Sequence, residues 1–296
     1  MSETRHRLYR AGIWAVTAPL PRQRRVSLRH RLRGGLDNRL ALNADCIVLS
    51  RAKSGRTWLR VLLSRLFQKR HGLDEHALLE YDNFHRRNSA IPVVAMTHGH
   101  YLDRLAGHPR KGPKLRAKPV VFLVRDPRDV AVSEYFQSTR RASAYKRELY
   151  GVDDNCSMFD FVMESSVGLK PIVEYLNHWH QTLADWPRVH RLRYEDLRAE
   201  PERRLGELCE FLGQDFSPEA IAEAVQFASF EKLKAREKEN YFRNNRLAAK
   251  NPDDPDSFKV RRGKVGGFRD YFSDSELAAM EDYVSRNLEP GLGYRD

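Results

Sequence analysis

Cysteine is scarce in this chain. Its 296 residues hold three, Cys46, Cys156 and Cys209, scattered without any metal-ligand spacing. Two of them lie in apolar patterns, as reduced core thiols do, which makes the cytoplasm the expected compartment. A membrane-spanning run is missing too. The apolar patch from Tyr9 to Leu20 falls far short of the roughly twenty residues a bilayer crossing needs. It also lacks the unbroken apolar stretch and small-residue cleavage site of a secretory signal. Acidic residues are in deficit, 40 against 52 Lys and Arg, for a net charge of +12. Such an excess invites a nucleic-acid partner, but its distribution argues otherwise. Residues 1–40 hold ten arginines against Glu3 and Asp37, most of the whole excess, and no nucleic-acid fold signature follows. No nucleic-acid partner is expected. There is no internal repeat.

What is present begins with Cys46-Ile47-Val48-Leu49-Ser50, then Arg51-Ala52-Lys53-Ser54-Gly55-Arg56-Thr57-Trp58. An apolar run, a basic turn and an amphipathic segment read as strand, anion-binding loop and helix. Leu59, Leu62, Leu63, Leu66 and Phe67 recur at i, i+3, i+4, i+7 and i+8, with Arg60, Ser64, Arg65 and Lys69 on the other side. Unpaired N–H groups and the dipole at such a helix start favour an anion, Lys53 adds a full charge and Thr57 a hydroxyl. A nucleotide-triphosphatase loop needs two glycines with Lys-Ser/Thr after the second. Here Gly55 stands alone, follows Lys53 and precedes Arg56. A site that supplies its own cations, with no evident metal ligand, suits a phosphosulfate better than a triphosphate. An exposed basic turn is the plain alternative.

A second unit has the same form. Pro119 through Val124 is a fully apolar run typical of a strand buried on both faces, and it ends in Arg125-Asp126-Pro127-Arg128-Asp129-Val130-Ala131-Val132-Ser133. Pro127 suits a helix start. Arg125 can grip a phosphate with two donors, and Ser133 can add a hydroxyl. The third piece, Arg261-Arg262-Gly263-Lys264-Val265-Gly266-Gly267-Phe268, combines cations with flexible glycines, as a loop closing over an anion would.

These segments, in this order, resemble the sulfotransferase family that uses 3′-phosphoadenosine 5′-phosphosulfate (PAPS) as donor. Its pattern is Pro-Lys-Ser-Gly-Thr-Thr-Trp, then Arg-Asn/Asp-Pro-Arg/Lys-Asp with a Ser eight residues after its Arg, then Arg-Lys-Gly-x-x-Gly. The resemblance covers roughly residues 44 to 285. It implies that Lys53, Ser54, Gly55, Arg56, Thr57 and Trp58 cradle the 5′-phosphosulfate, Trp58 also lying against the adenine. Arg125 and Ser133, joined by Arg261, Arg262 and Gly263, would bind the 3′-phosphate. Tyr194 and Phe230 match family aromatics at the base, ordinary core packing being the alternative for both. PAPS is then a co-substrate, and no metal is required.

The family's cytosolic type carries Lys-Thr-His in a strand, its His taking the acceptor proton. Here Met96-Thr97-His98 stands at the end of an apolar run, so His98 is the expected base. A neutral imidazole near pH 7 suits that work. His100 and Asp103 are runners-up. Met96 replaces the family's lysine and puts a second cation at the transferring group in doubt. The implied reaction is in-line sulfuryl transfer from PAPS to a hydroxyl, with Lys53 holding the bridging oxygen. A metal-dependent nucleotide phosphotransferase, or a non-catalytic relative that binds adenosine 3′,5′-bisphosphate (PAP), is the alternative.

The expected fold is α/β, a single three-layer P-loop-like domain with a mostly parallel sheet flanked by helices on both faces. Strands are predicted near 46–50, 93–97, 119–124 and 188–193. Helices are predicted near 57–70, 128–142, 157–167, 171–184, 201–212, 217–225 and 274–286. Residues 1–41 form a basic N-terminal arm and 42–296 the sulfotransferase domain. The arm, with Trp14, could rest on an anionic membrane face, but a solvated or partner-packing extension is preferred. Charged and amide-rich residues 235–260 offer little to bury and are expected to be mobile until donor binds. The acceptor, a small-molecule, lipid or carbohydrate hydroxyl, would meet Tyr81, Phe84, His85 and residues 137–160. Ser273 and Asp274 depart from the Thr-Val dimer contact of many relatives, which leaves oligomeric state open.

Overall fold

The structure is a computed structural model and describes residues 3–142, 156–244, 247–249 and 251–295. Four parallel strands form its sheet: β1 (Cys46–Ser50), β2 (Val94–Thr97), β3 (Val120–Val124) and β4 (Val189–Arg193), in the order β2-β1-β3-β4. Ile47 of β1 pairs with Ala95 on one side and Val120 on the other. All four strands fall within a residue of their predicted bounds.

Side chains alternate across the sheet, and both faces are covered, as a parallel sheet requires. Ile47, Leu49, Val120, Phe122 and Val124 face one core with Ile172, Leu176 and Trp179 of a helix at Leu169–Thr182. Cys46, Val48, Val121 and Leu123 face a second core with α3 (Arg56–His71). The stripe of Leu59, Leu62, Leu63, Leu66 and Phe67 is almost fully buried there. Each such side chain contributes about 1.5–3 kcal/mol. The opposite side of α3 is not solvent, however. Arg60 donates to the Leu79 carbonyl, and the Ser64 hydroxyl accepts from the Leu79 amide at 2.8 Å. The segment that carries Leu78, Leu79, Phe84 and Ile91 covers that side.

Two segments differ from expectation, the N-terminal arm and residues 235–260. The basic arm is helical, as α1 (Glu3–Thr17) and α2 (Arg22–Asn43). Its Ile13, Leu36 and Ala41 are buried, and Arg29 lies 3.8 Å from the Trp14 ring while its Nε donates to Thr17 Oγ1 at 2.6 Å. Position 41 lies within α2. Residues 235–260 were expected to be mobile with little to bury. Instead Phe242, Leu247 and Phe258 are in the core, and the fully buried Glu237 carboxylate accepts from the Lys259 and Val260 amides at 2.6 and 2.8 Å. Arg141 pairs with the same carboxylate at 3.4 Å. Three aromatic or aliphatic residues, widely spaced among charges, suffice to anchor the segment.

The helix predicted over 128–142 begins at Pro127 as α4 (Pro127–Phe136), with the Asp126 side chain capping the Arg128 amide at 2.9 Å. Its last turn, Gln137–Arg141, widens to a π-helical turn. That widening carries Arg141 to Glu237 and Gln137 to Lys53, and such turns cluster at working sites.

Candidate active site

β1 leads to β2 on one side of the sheet, and β3 lies on its other side. The carboxyl ends of β1 and β3 thus form a switch point, where ligands settle in open α/β sheets. A cavity of about 1530 Å³ opens there. Lys53, Gly55, Arg56, Thr57, Trp58, His98, Arg125, Ser133, Tyr194, Phe230, Arg261, Arg262 and Gly263 all line it. Ser54 sits buried within the same turn.

The turn after β1 is built around two left-handed residues. Lys53 has φ 67°, a conformation costing a non-glycine residue about 1 kcal/mol or more, which here sets where its side chain leaves the turn. Gly55 has φ 92°, and a Cβ there would come within 2.5 Å of the Tyr194 ring. Only glycine serves both demands. Tyr194 in turn lies under Arg125, whose guanidinium is 4.4 Å from the ring, and meets Trp58 edge-on at 5.8 Å. Trp58 donates its indole N–H to the Ala228 carbonyl at 3.0 Å. Arg125 also donates to the Lys53 carbonyl at 3.2 Å and pairs with Asp129 at 3.4 Å.

The late glycine loop is tied to the same place by a residue that sequence reasoning passed over. The Asp129 carboxylate accepts from the Gly266 and Phe268 amides, each at 3.0 Å. Arg261 and Arg262 both donate to the Tyr271 hydroxyl, and Arg262 pairs with Asp270. Gly263, at φ 59°, lies where a Cβ would strike the Phe230 ring. Asp129 sits two residues after Pro127, and its acid character in the motif was the one available signal.

Among the described residues, some buried donors of this cluster have no hydrogen-bond partner. Ser54 Oγ and Arg125 Nε are buried and make no hydrogen bond. Buried donors left open in a cationic turn fit an anion, and these residues suit the two phosphate ends of PAPS. The Lys53 ammonium donates to Gln137 Oε1 at 3.3 Å. Burial pulls its pKa down to about 8, with Arg141 and Arg125 pushing the same way and Glu134 opposing. A bound anion restores the charged form, so binding takes up a proton once the free amine is neutral. Affinity for PAP is expected to be flat below pH 7 and to fall about tenfold between pH 7 and pH 9. Calorimetry at pH 9 in buffers of different ionisation enthalpy should show uptake approaching one proton, absent in Lys53→Met.

At the end of β2, His98 Nδ1 donates to the Ser50 carbonyl at 3.0 Å, which leaves Nε2 as the accepting atom. Arg56 Nη2 lies 2.7 Å from that nitrogen. Burial pushes the imidazole well below its usual pKa, and the Arg56 charge adds to the effect, so the ring is neutral near pH 7. His100 is exposed, its ring 5.9 Å from that of His98, and Asp103 is engaged by His178 at 2.8 Å.

The acceptor side corrects the sequence reading. Tyr81 lines the cavity, but Phe84 is packed in the second core and His85 bonds the Ile91 carbonyl at 2.7 Å. Residues 143–155, part of the expected wall, lie outside the described residues. The arm supplies lining that was not foreseen, with Trp14, Arg33, Leu36, Asp37 and Leu40 on that side. Among the described residues no cluster of His, Cys, Asp and Glu could hold a metal ion, and no helix is long and apolar enough to cross a membrane.

A family model for the sulfotransferase domain matches residues 43–290, and the chain belongs to that family. It is 26% identical to flavonol 3-sulfotransferase of Flaveria bidentis, over 82% of this chain and 81% of that protein. It is 29% identical to cytosolic sulfotransferase 7 of Arabidopsis thaliana, over 65% of this chain, and 25% identical to rat (Rattus norvegicus) sulfotransferase 2A1, over 58% of this chain. These two matches span 64% and 58% of the relatives' own lengths. In fold the chain is similar to mouse sulfotransferase SULT7A1 complexed with PAP, at TM-score 0.59 and 19% identity, covering 85% of this chain and 86% of the other. Retinol dehydratase in complex with androsterone and PAP gives 0.54 and 21%, covering 83% and 80%.

Proposed function

We propose that this chain transfers a sulfuryl group from PAPS to the hydroxyl of a small-molecule acceptor. The observation that carries the reading is a single cavity shared by Lys53, Arg125, the Arg261-Arg262-Gly263 loop and His98. Lys53, Ser54, Gly55, Arg56, Thr57 and Trp58 take the phosphosulfate end, while Arg125, Ser133, Arg261, Arg262 and Gly263 take the 3′-phosphate. Tyr194 and Phe230 flank the base. A flavonol and a 3α-hydroxysteroid are the acceptors in the names of relatives, and both are hydroxyl compounds that a cavity of this size can hold. The protein works in the cytosol, as the name of the Arabidopsis relative suggests.

Sulfuryl transfer resembles phosphoryl transfer in needing little covalent help. Positioning in line and stabilising the leaving charge do most of the work. His98 Nε2 accepts the proton of the acceptor hydroxyl as its oxygen bonds to sulfur. The bond from sulfur to the bridging oxygen breaks, and its electron pair stays on the 5′-phosphate of PAP beside Lys53. The test is calorimetry with PAP and with ATP, each with and without magnesium, followed by transfer of radiolabelled sulfate to a phenol and steroid panel. PAP binding that is indifferent to magnesium, with label appearing in an acceptor, is the expected result. Magnesium-dependent ATP binding without PAP binding would overturn the reading.

A further inference from the structure

The contact between Arg56 and His98 conflicts with the role just given to His98. One ring nitrogen, Nδ1, is committed to the Ser50 carbonyl at 3.0 Å. The other, Nε2, has the Arg56 guanidinium at 2.7 Å. A guanidinium only donates and keeps its charge at any ordinary pH. The sole lone pair of the imidazole is thus filled by a permanent cation, and in this arrangement His98 can accept nothing from a substrate. The other groups facing the ring do not offset this. Arg51 and His100 are cationic or neutral, and the Asp103 carboxylate is held by His178.

Arg56 also stands where an anion would arrive. It opens α3 directly after Gly55, in the turn that carries Lys53, and it lines the same cavity. On the β2 side of that cavity the lining strand residues Val94, Ala95, Met96 and Thr97 bring no charge. A sulfonate entering between Lys53 and His98 therefore offers Arg56 a stronger partner than a neutral imidazole, because an anion adds direct charge attraction to the guanidinium hydrogen bond and can accept two of its donors at once.

We propose that Arg56 is a donor-operated cap on His98. In the donor-free protein it occupies Nε2 and keeps the base out of action. Bound PAPS draws the guanidinium onto the sulfonate oxygens, where it supplies positive charge to the moving group and leaves Nε2 open to the acceptor hydroxyl. The base is then available only when there is a sulfuryl group to transfer, and an acceptor gains its hydrogen bond to His98 only after donor has bound. This rests on His98 as the base, but the cap itself is observable without turnover.

The test is ¹⁵N NMR of the full chain labelled at histidine, with the His98 signal assigned by its loss in His98→Gln. The ligand is an unreactive donor analogue with a methylene in place of the bridging oxygen between phosphorus and sulfur. In donor-free wild type, His98 should resist protonation, and the analogue should raise its proton affinity at least about tenfold. In Arg56→Thr the donor-free affinity should already be raised, and the analogue's added effect should be at least about tenfold smaller than in wild type. Unchanged circular dichroism and an unchanged thermal unfolding midpoint certify the variant's fold, and Arg56→Gln serves if Arg56→Thr fails that check. Equal responses to the analogue in wild type and variant would overturn the cap. A His98→Ala enzyme of normal turnover would instead overturn the base, while leaving the NMR result standing.

Discussion

Replacing His98 with alanine is expected to lower sulfuryl transfer by about 10²–10⁴-fold, the usual worth of a positioned proton acceptor. PAP affinity should hardly change, because the proposed role of His98 is toward the acceptor and it brings no charge of its own to the donor. The loss should therefore appear in kcat more than in donor binding. It should shrink as pH rises, since a more ionised acceptor needs less help with its proton. For a phenol of low pKa the deficit should nearly vanish above that pKa. A single-turnover assay across phenols of graded acidity separates this from a structural defect, which would slow every acceptor alike. Transfer at near-normal rate to a weakly acidic alcohol would remove His98 from the mechanism.

Replacing Lys53 with alanine should cost about 10²–10³-fold in rate, the range for deleting one group aimed at developing charge. The reason is local. The Lys53 side chain leaves a left-handed backbone position and lies beside Gln137, in a site enclosed enough to pull its pKa to about 8. A cation so desolvated meets a leaving phosphate oxygen with little water to screen it. Lys53→Arg should recover only part of the loss, because a planar fork does not replace a point charge in a turn of this shape. The measurement is kcat with saturating PAPS, with PAP affinity as the control. If Lys53→Ala weakened PAP binding by the same factor as the rate, the lysine would serve binding alone.

Much of the frame was legible because it depends on short-range rules. Apolar runs marked three of the four strands, β4 being mostly polar, and Pro127 and Pro201 stand at the first position of their helices. The turn at Lys53 to Gly55 could be read because Gly55 answers a local backbone need. What escaped was set by distant packing. Nothing near Glu237 in sequence says that its carboxylate will accept two amides more than twenty residues away. Phe242, Leu247 and Phe258 are too far apart among charges to form a periodic stripe, so 235–260 reads as mobile although these three side chains are buried. The arginines of the arm likewise hid the small apolar set, Ile13, Leu36 and Ala41, that packs inward. Arg56 was read as one more donor to phosphate, since its reach to His98 follows only from β2 lying next to β1.

The missing side chain at Gly55 has a wider effect than room for one turn. With Tyr194 resting on that backbone and Arg125 stacked above it, the carboxyl ends of three strands are joined through one aromatic plate. Whatever nudges the plate from the purine side shifts the lysine turn as well. Donors altered only at the nucleobase should thus turn over slowly in proportion to how badly they seat, even though no altered atom lies near sulfur.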